Sequence, residues 1–537
     1  MTYDTDVLVI GAGPVGLALA VELGLRGVRV VVAERSERAG SAPRAKTTNV
    51  RTRTHLRRWG LADRLAAASP LGVAYPNDVI FVTRLAEYRL ASFKDAFNAA
   101  PDRSPLYPEH AQWAPQYALE KVLRDFAQTL PTVTLRFDAT FVGADQDRDR
   151  VVSRLESQAG ETQTATSRFL VGADGAGSTV RKVIGAKMEG RYGLSRNYNI
   201  VFRAPGMAQA HPHGRAVMYW QTSRHGAGLI GPMDKDDVWF FMPTGMKEGQ
   251  TLSNAQAAEA IRLATGIDLP YEILSTDEWV ASSLLADRYR EGAIFLAGDA
   301  CHLHPPFGGY GMNMGVGDSV DLGWKIAAVL QGWGGTALLD SYESERRPLH
   351  EAVIAEAVAN HTLLGGQLWR EGLEDDTPEG ATLRSEVGAL ILANKGREFH
   401  TLGTVLGIAY EGSPVILDEA GPPAPRNGQV YTPSARPGAL APHAWLADGR
   451  SIYDLFGQGF ALIVSDSAEA SQVEAAQAQA AALGIPLAVI RPDGVDVGGL
   501  YEADMILVRP DQHVAWRGAR WSDRIFAVAT GREPVAP

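Results

Sequence analysis

The stretch TDVLVIGAGPVGLALAV, residues 5–21, decides the fold of this chain. Residues 5–10 are apolar and predict a buried strand, residues 14–26 predict a helix, and the apolar run 28–33 predicts a second strand. The glycine-rich sequence GAGPVG lies between the first strand and the helix. This order is typical of the strand–helix–strand unit that binds a dinucleotide.

Each glycine of this motif has a physical reason. Gly11 permits the tight turn, Gly13 lets the backbone approach a diphosphate, and Gly16 allows close packing of the helix, whose N-terminus attracts the negative charge. Glu34 ends the second strand, eighteen residues after Gly16, where a carboxylate can bind ribose hydroxyls. A glycine motif alone is weak evidence for a dinucleotide site, because any tight turn favours glycine. In this context it predicts a dinucleotide site, without separating FAD from NAD.

Two further motifs lie far along the chain. GDACHLHPPFGGYGMN, residues 298–313, follows the apolar strand AIFLA and precedes the apolar helix GVGDSVDLGWKIAAVL. A structural Gly/Pro turn before a buried helix would also contain glycines, but would not readily give strand, GD, HxxxP and GGxGMN in this order. The segment FLVGADGAGSTVR, residues 169–181, has an Asp-Gly turn, which on its own is common and serves here as corroboration.

Together these motifs resemble the single-component flavoprotein monooxygenases, the aromatic hydroxylases related to para-hydroxybenzoate and phenol hydroxylases. The resemblance implies that Asp299 binds ribityl or ribose hydroxyls and that the loop 305–313 passes beside the isoalloxazine ring. Residues 169–181 would serve the flavin diphosphate and the approach of NAD(P)H. A glycine-rich segment leading into a helix would also stabilise negative charge on a reduced flavin. The predicted FAD-binding residues are Gly11, Gly13, Pro14, Gly16, Glu34, Arg35, Arg44, Gln116, Asp174, Gly298, Asp299, Pro306, Gly309, Gly311, Met312 and Asn313.

Two residues of this set match the family more loosely. Arg44 sits where relatives carry an arginine beside the flavin, but Arg51 and Arg53 follow closely, so a solvated basic face is an equal alternative. Gln116 matches a family glutamine that contacts the ribityl chain, and its alternative is an ordinary polar residue at the start of a helix.

The function that the resemblance implies is an FAD-dependent monooxygenase that consumes NADH or NADPH and O₂ and hydroxylates an aromatic, phenolic substrate. In this family a flavin C4a-hydroperoxide delivers the oxygen atom, and the pocket must exclude water to protect it. Antiparallel strands between about 195 and 285 would roof that pocket with apolar residues such as Trp220, Phe240, Phe241 and Met242.

No motif marks the groups that contact the substrate. Candidate pocket residues are Tyr219, Gln221, His225 and Phe241, of which the first three are also candidates for a general base; a core or surface role fits them equally well. Alternatives within the enzymes are an epoxidase, a Baeyer–Villiger oxygenase, a reductase or an oxidase. Outside the enzymes, the alternative is a flavin-binding interaction protein.

The expected fold class is α/β: a Rossmann-like FAD-binding domain interleaved with an antiparallel-sheet substrate domain, plus a thioredoxin-like C-terminal domain. The C-terminal part of this expectation rests on the phenol hydroxylase branch, and the domain lacks the CxxC pair of a working thioredoxin. The predicted boundaries are 1–75, 111–181 and 286–348 for FAD binding, 76–110 and 182–285 for substrate, 349–410 for a helical segment, 411–445 for a linker and 446–537 for the C-terminal domain.

Composition excludes several classes. The 537 residues include 51 Lys+Arg and 62 Asp+Glu, giving a net charge of −11 without a compact basic block, so we expect neither nucleic acid nor membrane as a partner. The one cysteine, Cys301, predicts a cytoplasmic protein, and a homodimer is a family expectation. The pairs His302/His304 and His211/His213 have metal-ligand spacing without other ligands nearby, so no metal is predicted. The motifs of hydrolases and P-loop NTPases are missing.

Overall fold

The predicted strand–helix–strand unit lies at the centre of the first sheet. It consists of β1 (Thr5–Ile10), α1 (Pro14–Gly24) and β2 (Val30–Ala33), and β1 pairs parallel with β2. Helix α1 is buried on nearly every side, which fits its apolar sequence. The computed structural model describes residues 3–37, 45–246, 250–361, 368–422, 425–533 and 535.

The remaining described strands of this sheet come from distant parts of the chain. Its order is β16-β17-β10-β1-β2-β7, with β9 and then β8 added through β10. These strands are β7 (Val133–Arg136), β8 (Thr140–Gln146), β9 (Val151–Glu156), β10 (Thr162–Gly172), β16 (Arg290–Glu291) and β17 (Ile294–Leu296). Strands β10 and β17 are parallel neighbours, and β10 is also parallel to β1. The turns of all three motifs therefore lie at the carboxyl-terminal end of the sheet.

A second, mixed sheet roofs this layer. Its order is β18-β15-β11-β14-β13-β12-β4-β5, and all neighbours are antiparallel except β12 and β4. The strands are β4 (Val79–Val82), β5 (Arg89–Phe93), β11 (Met188–Arg203), β12 (Met218–Gln221), β13 (Gly228–Asp234), β14 (Val238–Pro243), β15 (Glu272–Ala286) and β18 (His302–Leu303). The second motif therefore contributes a strand, β18, to the roof. A separate two-stranded pair joins β3 (Thr47–Thr48) to β6 (Gln112–Trp113).

Helices cover both layers. Helix α7 (Tyr310–Leu330) packs on α1, and α6 (Asn254–Thr265) covers the outer face of the roof sheet. The other helices before residue 410 are α2 (Val50–Arg58), α3 (Ala62–Ala68), α4 (Gln116–Ala127), α5 (Thr179–Val183), α8 (Ala337–His361), α9 (Pro378–Phe399) and α10 (Leu402–Leu406). None of the helices in the described ranges is long and apolar enough to cross a membrane.

The last part of the chain forms a small α/β unit after an extended segment. Its sheet has the order β20-β19-β21-β22, with β19 parallel to β20 and antiparallel to β21. The predicted hairpin is formed by β21 and β22, and the predicted helix ends at Gly484 in a left-handed cap. The elements are β19 (Phe460–Val464), α11 (Ala470–Leu483), β20 (Leu487–Ile490), α12 (Val497–Tyr501), β21 (Met505–Val508), β22 (Val514–Gly518) and α13 (Arg524–Ala529).

The α/β fold class is confirmed, with small differences at the ends of elements. The first helix ends at Gly24 instead of residue 26, because Gly27, with φ +74°, turns the chain towards β2. The roof strands β11 and β15 extend further than their apolar patterns indicate, since their outer halves pair with each other while remaining partly exposed.

A buried ionic network joins the C-terminal unit to α7 and α8. The Arg509 guanidinium donates to both oxygens of Glu345 at 2.6 and 2.9 Å, to Asp321 at 3.1 Å and to Asp511 at 2.7 Å. Lys325 donates to Asp321 and Glu345 at 2.9 and 2.6 Å. Burial raises the pKa of Asp321 to about 7 despite these cations. All five side chains are almost completely inaccessible, so each depends on the others for charge compensation.

We predict that Arg509→Met destabilises the chain by about 3–5 kcal/mol, because Glu345 and Asp511 then remain buried without their main cation. The measurement is the urea midpoint followed by tryptophan fluorescence. Arg397→Met is the matched control: this arginine pairs with Glu356 while 53% of its side chain is exposed, so its midpoint should stay close to wild type. Equal midpoints for the two variants would contradict the prediction.

Candidate active site

The turn between β1 and α1 can be built only with glycine at two positions. Gly11 has φ +104°, and a Cβ there would collide with the carbonyl oxygen of Ala173 in the third motif. A Cβ on Gly16 would collide with the carbonyl oxygen of Gly11. Gly13 is the N-cap of α1, with no side-chain cap bond among the described residues, and Pro14 opens the helix. The helix N-terminus therefore lies open to a ligand.

Glu34 lies beside this turn. Its carboxylate is buried, with 6% of the residue exposed, and accepts a hydrogen bond from the backbone N–H of Ala12 at 2.8 Å. The predicted ribose carboxylate is thus held against the glycine loop. Arg35 is exposed just beyond the strand.

The second motif forms a tight turn followed by the N-terminus of α7. Gly298 has φ +63°, and its N–H donates to Asp318 at 3.0 Å, while Asp299 beside it is exposed. Pro306 is also exposed, and Gly309, with φ +66°, is the N-cap of α7 without a described side-chain cap. A second helix N-terminus is therefore open on the same side of the sheet.

Asn313 joins the start of α7 to the chain segment before α2. Its Oδ1 accepts from the N–H of Asn49 at 2.9 Å, and its Nδ2 donates to the carbonyls of Thr47 and Gly309 at 2.9 and 2.7 Å. All its side-chain hydrogen-bonding groups are used by backbone. Gly311 and Met312 lie beside it on α7, partly buried. In this structure Asn313 shapes the loop, and any contact with the cofactor would run through that loop.

The third motif is held by its own side chains. Asp174 accepts from the Ser178 hydroxyl at 2.5 Å and from the N–H of Thr179 at 2.6 Å, at the start of α5. Arg181 donates to the carbonyls of Ala300 at 2.8 Å and Ala176 at 2.7 Å. The Asp-Gly motif and the GD turn of the second motif are therefore tied together.

The two looser matches differ in outcome. Gln116 begins α4, donates to Glu120 at 2.8 Å and accepts from the N–H of Ala45 at 3.3 Å, next to the loop at 45–49. Arg44 lies outside the described residues.

A buried cluster of polar side chains holds the turn of the second motif in place. Asp318 accepts from the Nε2 atoms of His302 at 2.9 Å and His350 at 2.8 Å, and from the Nε of Arg346 at 2.8 Å. An ionised carboxylate only accepts, so both imidazoles carry a proton on Nε2. Burial opposes the charge of Asp318, but His350, Arg346 and His302 outweigh it and hold its pKa well below the usual value. Burial lowers the pKa of His350 to about 3, so this ring is neutral.

The structure adds His350 to the predicted His302/His304 pair, which raises the question of a metal again. The three rings have ligand atoms within 4.8 Å of one another. However, the rings of His302 and His350 stack 3.8 Å apart at an interplanar angle of 19°. Lone pairs lie in the ring planes, so stacked rings direct them side by side, whereas a metal needs them to converge. Two of the three rings, His302 and His350, are better described as hydrogen-bond donors to Asp318.

The roof sheet presents a layer of aromatic rings to the glycine-rich loop. Trp220 stacks on Phe307 at a centroid distance of 6.4 Å, and Trp113 lies 6.4 Å from Phe240. We call these four residues the aromatic layer. They belong to one buried cluster that α9 closes.

Two pocket predictions need correction. Tyr219 and Phe241 belong to a different cluster, on the opposite face of the roof, where Ile261 of α6 covers them. Side chains alternate along a strand, so the neighbours Trp220 and Phe240 lie on the other face, in the cluster that contains Phe307.

The other two predicted pocket residues, Gln221 and His225, also lie away from the aromatic layer. Gln221 has the same parity as Tyr219 and is fully buried, with no hydrogen-bond partner for its amide in the described structure. His225 is exposed on the turn between β12 and β13, where Arg224 donates to it at 3.2 Å. The strands lie where the sequence predicts them, but the side chains chosen on β12 and β14 point to the opposite face of the sheet from Phe307.

The geometry fits FAD. Two uncapped helix N-termini can receive the diphosphate and the electron-rich edge of the flavin, and two carboxylates at Glu34 and Asp299 can accept from sugar hydroxyls. The aromatic layer lies just beyond the second of these helix ends, where a flavin ring would face it.

Comparison with known proteins agrees with this site. The family profile described as "FAD binding domain" matches residues 4–357, and "Aromatic-ring hydroxylase, C-terminal" matches residues 434–531. The 4-methyl-5-nitrocatechol 5-monooxygenase of a Burkholderia species is 33% identical, covering 96% of this chain and 94% of its own length. Aklavinone 12-hydroxylase RdmE of Streptomyces purpurascens is also 33% identical, over 96% and 95%.

Solved structures agree throughout the chain. RebC with bound 7-carboxy-K252c superposes with a TM-score of 0.90 at 32% identity, covering 98% of this chain and 99% of the other. A ternary complex of aklavinone-11 hydroxylase with FAD and aklavinone gives 0.85 at 29% identity, with 99% of both chains covered. The chain belongs to the FAD-dependent aromatic-ring monooxygenases. It is an FAD-dependent monooxygenase of aromatic compounds, as the sequence motifs predict.

We predict that Gly11→Ala lowers FAD affinity about tenfold or more, because a left-handed φ and the collision with Ala173 strain the loop by about 1–3 kcal/mol. The measurement is the flavin absorbance retained per chain, with the thermal midpoint as a check on folding. Gly498→Ala is the control, since it lies in the C-terminal unit away from the three motifs and a Cβ there would approach nothing closer than 3.7 Å. Undiminished FAD content in the Gly11 variant would refute the prediction.

We also predict that stability falls as the pH is lowered from about 6.5 towards 3. The folded protein keeps His350 neutral down to a pKa of about 3, whereas the unfolded chain protonates this residue below about 6.5. The unfolded chain therefore binds more protons in this window, which costs up to about 1.4 kcal/mol per pH unit for one such histidine. The urea midpoint measured from pH 7.5 to 4.5 checks this.

His350→Phe provides the sharper version of this experiment. It retains a ring beside His302 but cannot take up the proton, so its stability should vary less with pH than that of wild type. His225→Gln, at an exposed position, should keep the wild-type pH dependence. Identical pH profiles for His350→Phe and wild type would rule out His350 as a source of the effect.

Proposed function

We propose that the chain hydroxylates a phenolic ring held between the flavin and the aromatic layer, with NADH or NADPH as the electron donor. The observation that carries this proposal is the stacking of Trp220 on Phe307, which brings the roof sheet against the glycine-rich loop. A flat ring inserted beside these side chains would lie next to the flavin edge of the loop.

We assign the cofactor contacts residue by residue. The N-terminus of α1, with Gly11, Gly13, Pro14 and Gly16, would receive the diphosphate, and Glu34 would accept from ribose hydroxyls. Asp299 would bind the ribityl chain, and the N-terminus of α7 at Gly309 would face the pyrimidine edge of the flavin. Asp174, Gly298 and Asn313 would act by holding these loops in place, through the hydrogen bonds described above.

FAD supplies the chemistry: it takes electrons from NAD(P)H and activates O₂ for transfer of one oxygen atom to the ring. The residues of this chain have other tasks. Helix dipoles at α1 and α7 stabilise negative charge, and the aromatic layer excludes water from the space where oxygen transfer occurs. Helix α9 closes the layer from outside, with Phe399 packing edge-on to Phe81 beneath Trp220.

Substrate size is not fixed by the relatives, since their names include nitrocatechol, dichlorophenol and aklavinone. A homodimer and a cytoplasmic location remain predictions. Light scattering of the purified protein tests the first, and fractionation of the producing cells tests the second.

The proposed function predicts that phenols stimulate NAD(P)H oxidation by the FAD-loaded protein and yield a product heavier by one oxygen atom. A panel from single-ring phenols to polycyclic phenols would be followed by flavin bleaching, O₂ uptake and mass spectrometry. Matched methyl ethers serve as controls, because they lack the ionisable hydroxyl. Formation of H₂O₂ alone with every phenol would contradict the proposal and favour an oxidase or reductase.

A further inference from the structure

The aromatic layer contains hydrogen-bond donors that have no acceptor in the described structure. The indole N–H groups of Trp113 and Trp220 are both buried, with 7% and 0% of the residues exposed, and neither has a partner. A buried donor without an acceptor costs about 1–3 kcal/mol, so such groups call for an explanation. In a layer otherwise built from carbon, these donors are suited to oxygen atoms of a ligand.

A cation stands beside the same layer. The Nζ of Lys46 lies 4.2 Å from the ring centroid of Phe240, the ring that Trp113 also contacts. No carboxylate of the described residues lies within ion-pair distance of Lys46. Burial lowers the pKa of Lys46 to about 8, so the amine remains charged near neutral pH. A partly buried cation without a counter-ion is unfavourable unless a ligand supplies one.

The position of Lys46 is fixed by its backbone. The carbonyl of Lys46 accepts from the N–H of Ala114 at 2.8 Å, and the next residue, Thr47, pairs with Trp113 and is bonded to Asn313 at the start of α7. The lysine is therefore held between Trp113 and the start of α7, the helix end that would face the cofactor.

A second lysine at the layer shows the contrast. Lys395 of α9 has its Nζ 4.6 Å from the ring centroid of Trp220, but it donates to Glu398 at 2.9 Å and to the carbonyl of Asn360 at 3.3 Å. Its charge is compensated within the protein. The net positive charge of the layer therefore resides on Lys46.

We propose that Lys46, with the indole N–H of Trp113, binds an anionic oxygen of the aromatic substrate, either a phenolate or a ring carboxylate. This inference rests on the proposed function and names its substrate class. Lys46 is then a specificity-determining residue: it favours substrates that carry a negative charge on one edge of the ring. An ammonium and an indole donor together can hold one oxygen while the apolar rings hold the plane of the ligand.

The test is ligand binding to the oxidised, FAD-loaded protein by calorimetry at pH 7. The probes form two matched pairs: 4-nitrophenol with 4-nitroanisole, and benzoate with methyl benzoate. We expect the anionic member of at least one pair to bind at least tenfold more tightly than its neutral partner. The pair that discriminates identifies the source of the anion as phenolate or carboxylate.

The variants separate charge from packing. Lys46→Met should weaken binding of the anion at least tenfold and leave the neutral ligand unchanged, and Lys46→Arg should restore part of the preference. Trp113→Phe, which removes the indole donor and keeps one aromatic ring, should weaken binding of the anion several-fold and that of the neutral ligand less. Lys121→Met is the matched control, since this lysine is 74% exposed on α4 and should bind ligands like wild type.

Several outcomes would overturn the inference: equal affinity of wild type for both members of each pair, equal weakening of both by Lys46→Met, or a change in flavin reduction with unchanged ligand affinity. FAD content of each variant reports on folding. If phenols are hydroxylated without any anion preference, only this inference fails. If no ligand is oxygenated by wild type, the proposed function fails instead.

Discussion

The turn of the second motif, at Gly298 and Asp299, depends on one buried carboxylate, Asp318 of α7. It accepts from the backbone N–H of Gly298 and the side chain of His302 in the second motif, and from the side chains of Arg346 and His350 on α8. Gly298 precedes Asp299, so the same carboxylate fixes the turn that would meet the ribityl chain. Because α7 begins shortly after this turn, with Gly309 as its N-cap, a single helix fixes the turn and supplies the dipole that would face the flavin.

The same helix holds the C-terminal unit through Asp321, one turn after Asp318, which accepts from Arg509. Lys325, one turn further on, donates to the same Asp321. The turn of the second motif and the C-terminal contact therefore share one rigid element. Burying ions is costly, and the apolar packing of Trp324 against Phe460 supplies the favourable burial at this contact. The ionic partners fix its register, since any shift would leave a charge without a counter-ion.

The cofactor half of the protein is predictable from sequence because its signals are local. A strand, a glycine turn and a helix are adjacent in the chain, and the collision of a Cβ with Ala173 explains why the turn favours glycine at position 11. The support of those turns is not local: His350 lies 32 residues from Asp318, in a helix with no pattern to mark it. Lys46 is missed for a related reason. It lies in a run of basic residues that reads as a solvated surface, and only the fold places it against Phe240.

The roof sheet shows why the substrate half is harder to predict. Tyr219 and Trp220 are adjacent aromatic residues, and which of them faces Phe307 depends on which face of the sheet α6 covers. In β14 the same ambiguity separates Phe240 from Phe241, so the alternation of polar and apolar residues that normally assigns the faces is lost. A shift of one residue in the assignment of a strand exchanges all the side chains predicted to line the pocket for those on the opposite face. Long-range packing therefore decides which side chains line the pocket. Substitutions within the aromatic layer can change the chemistry of the pocket while every glycine of the cofactor motifs stays the same.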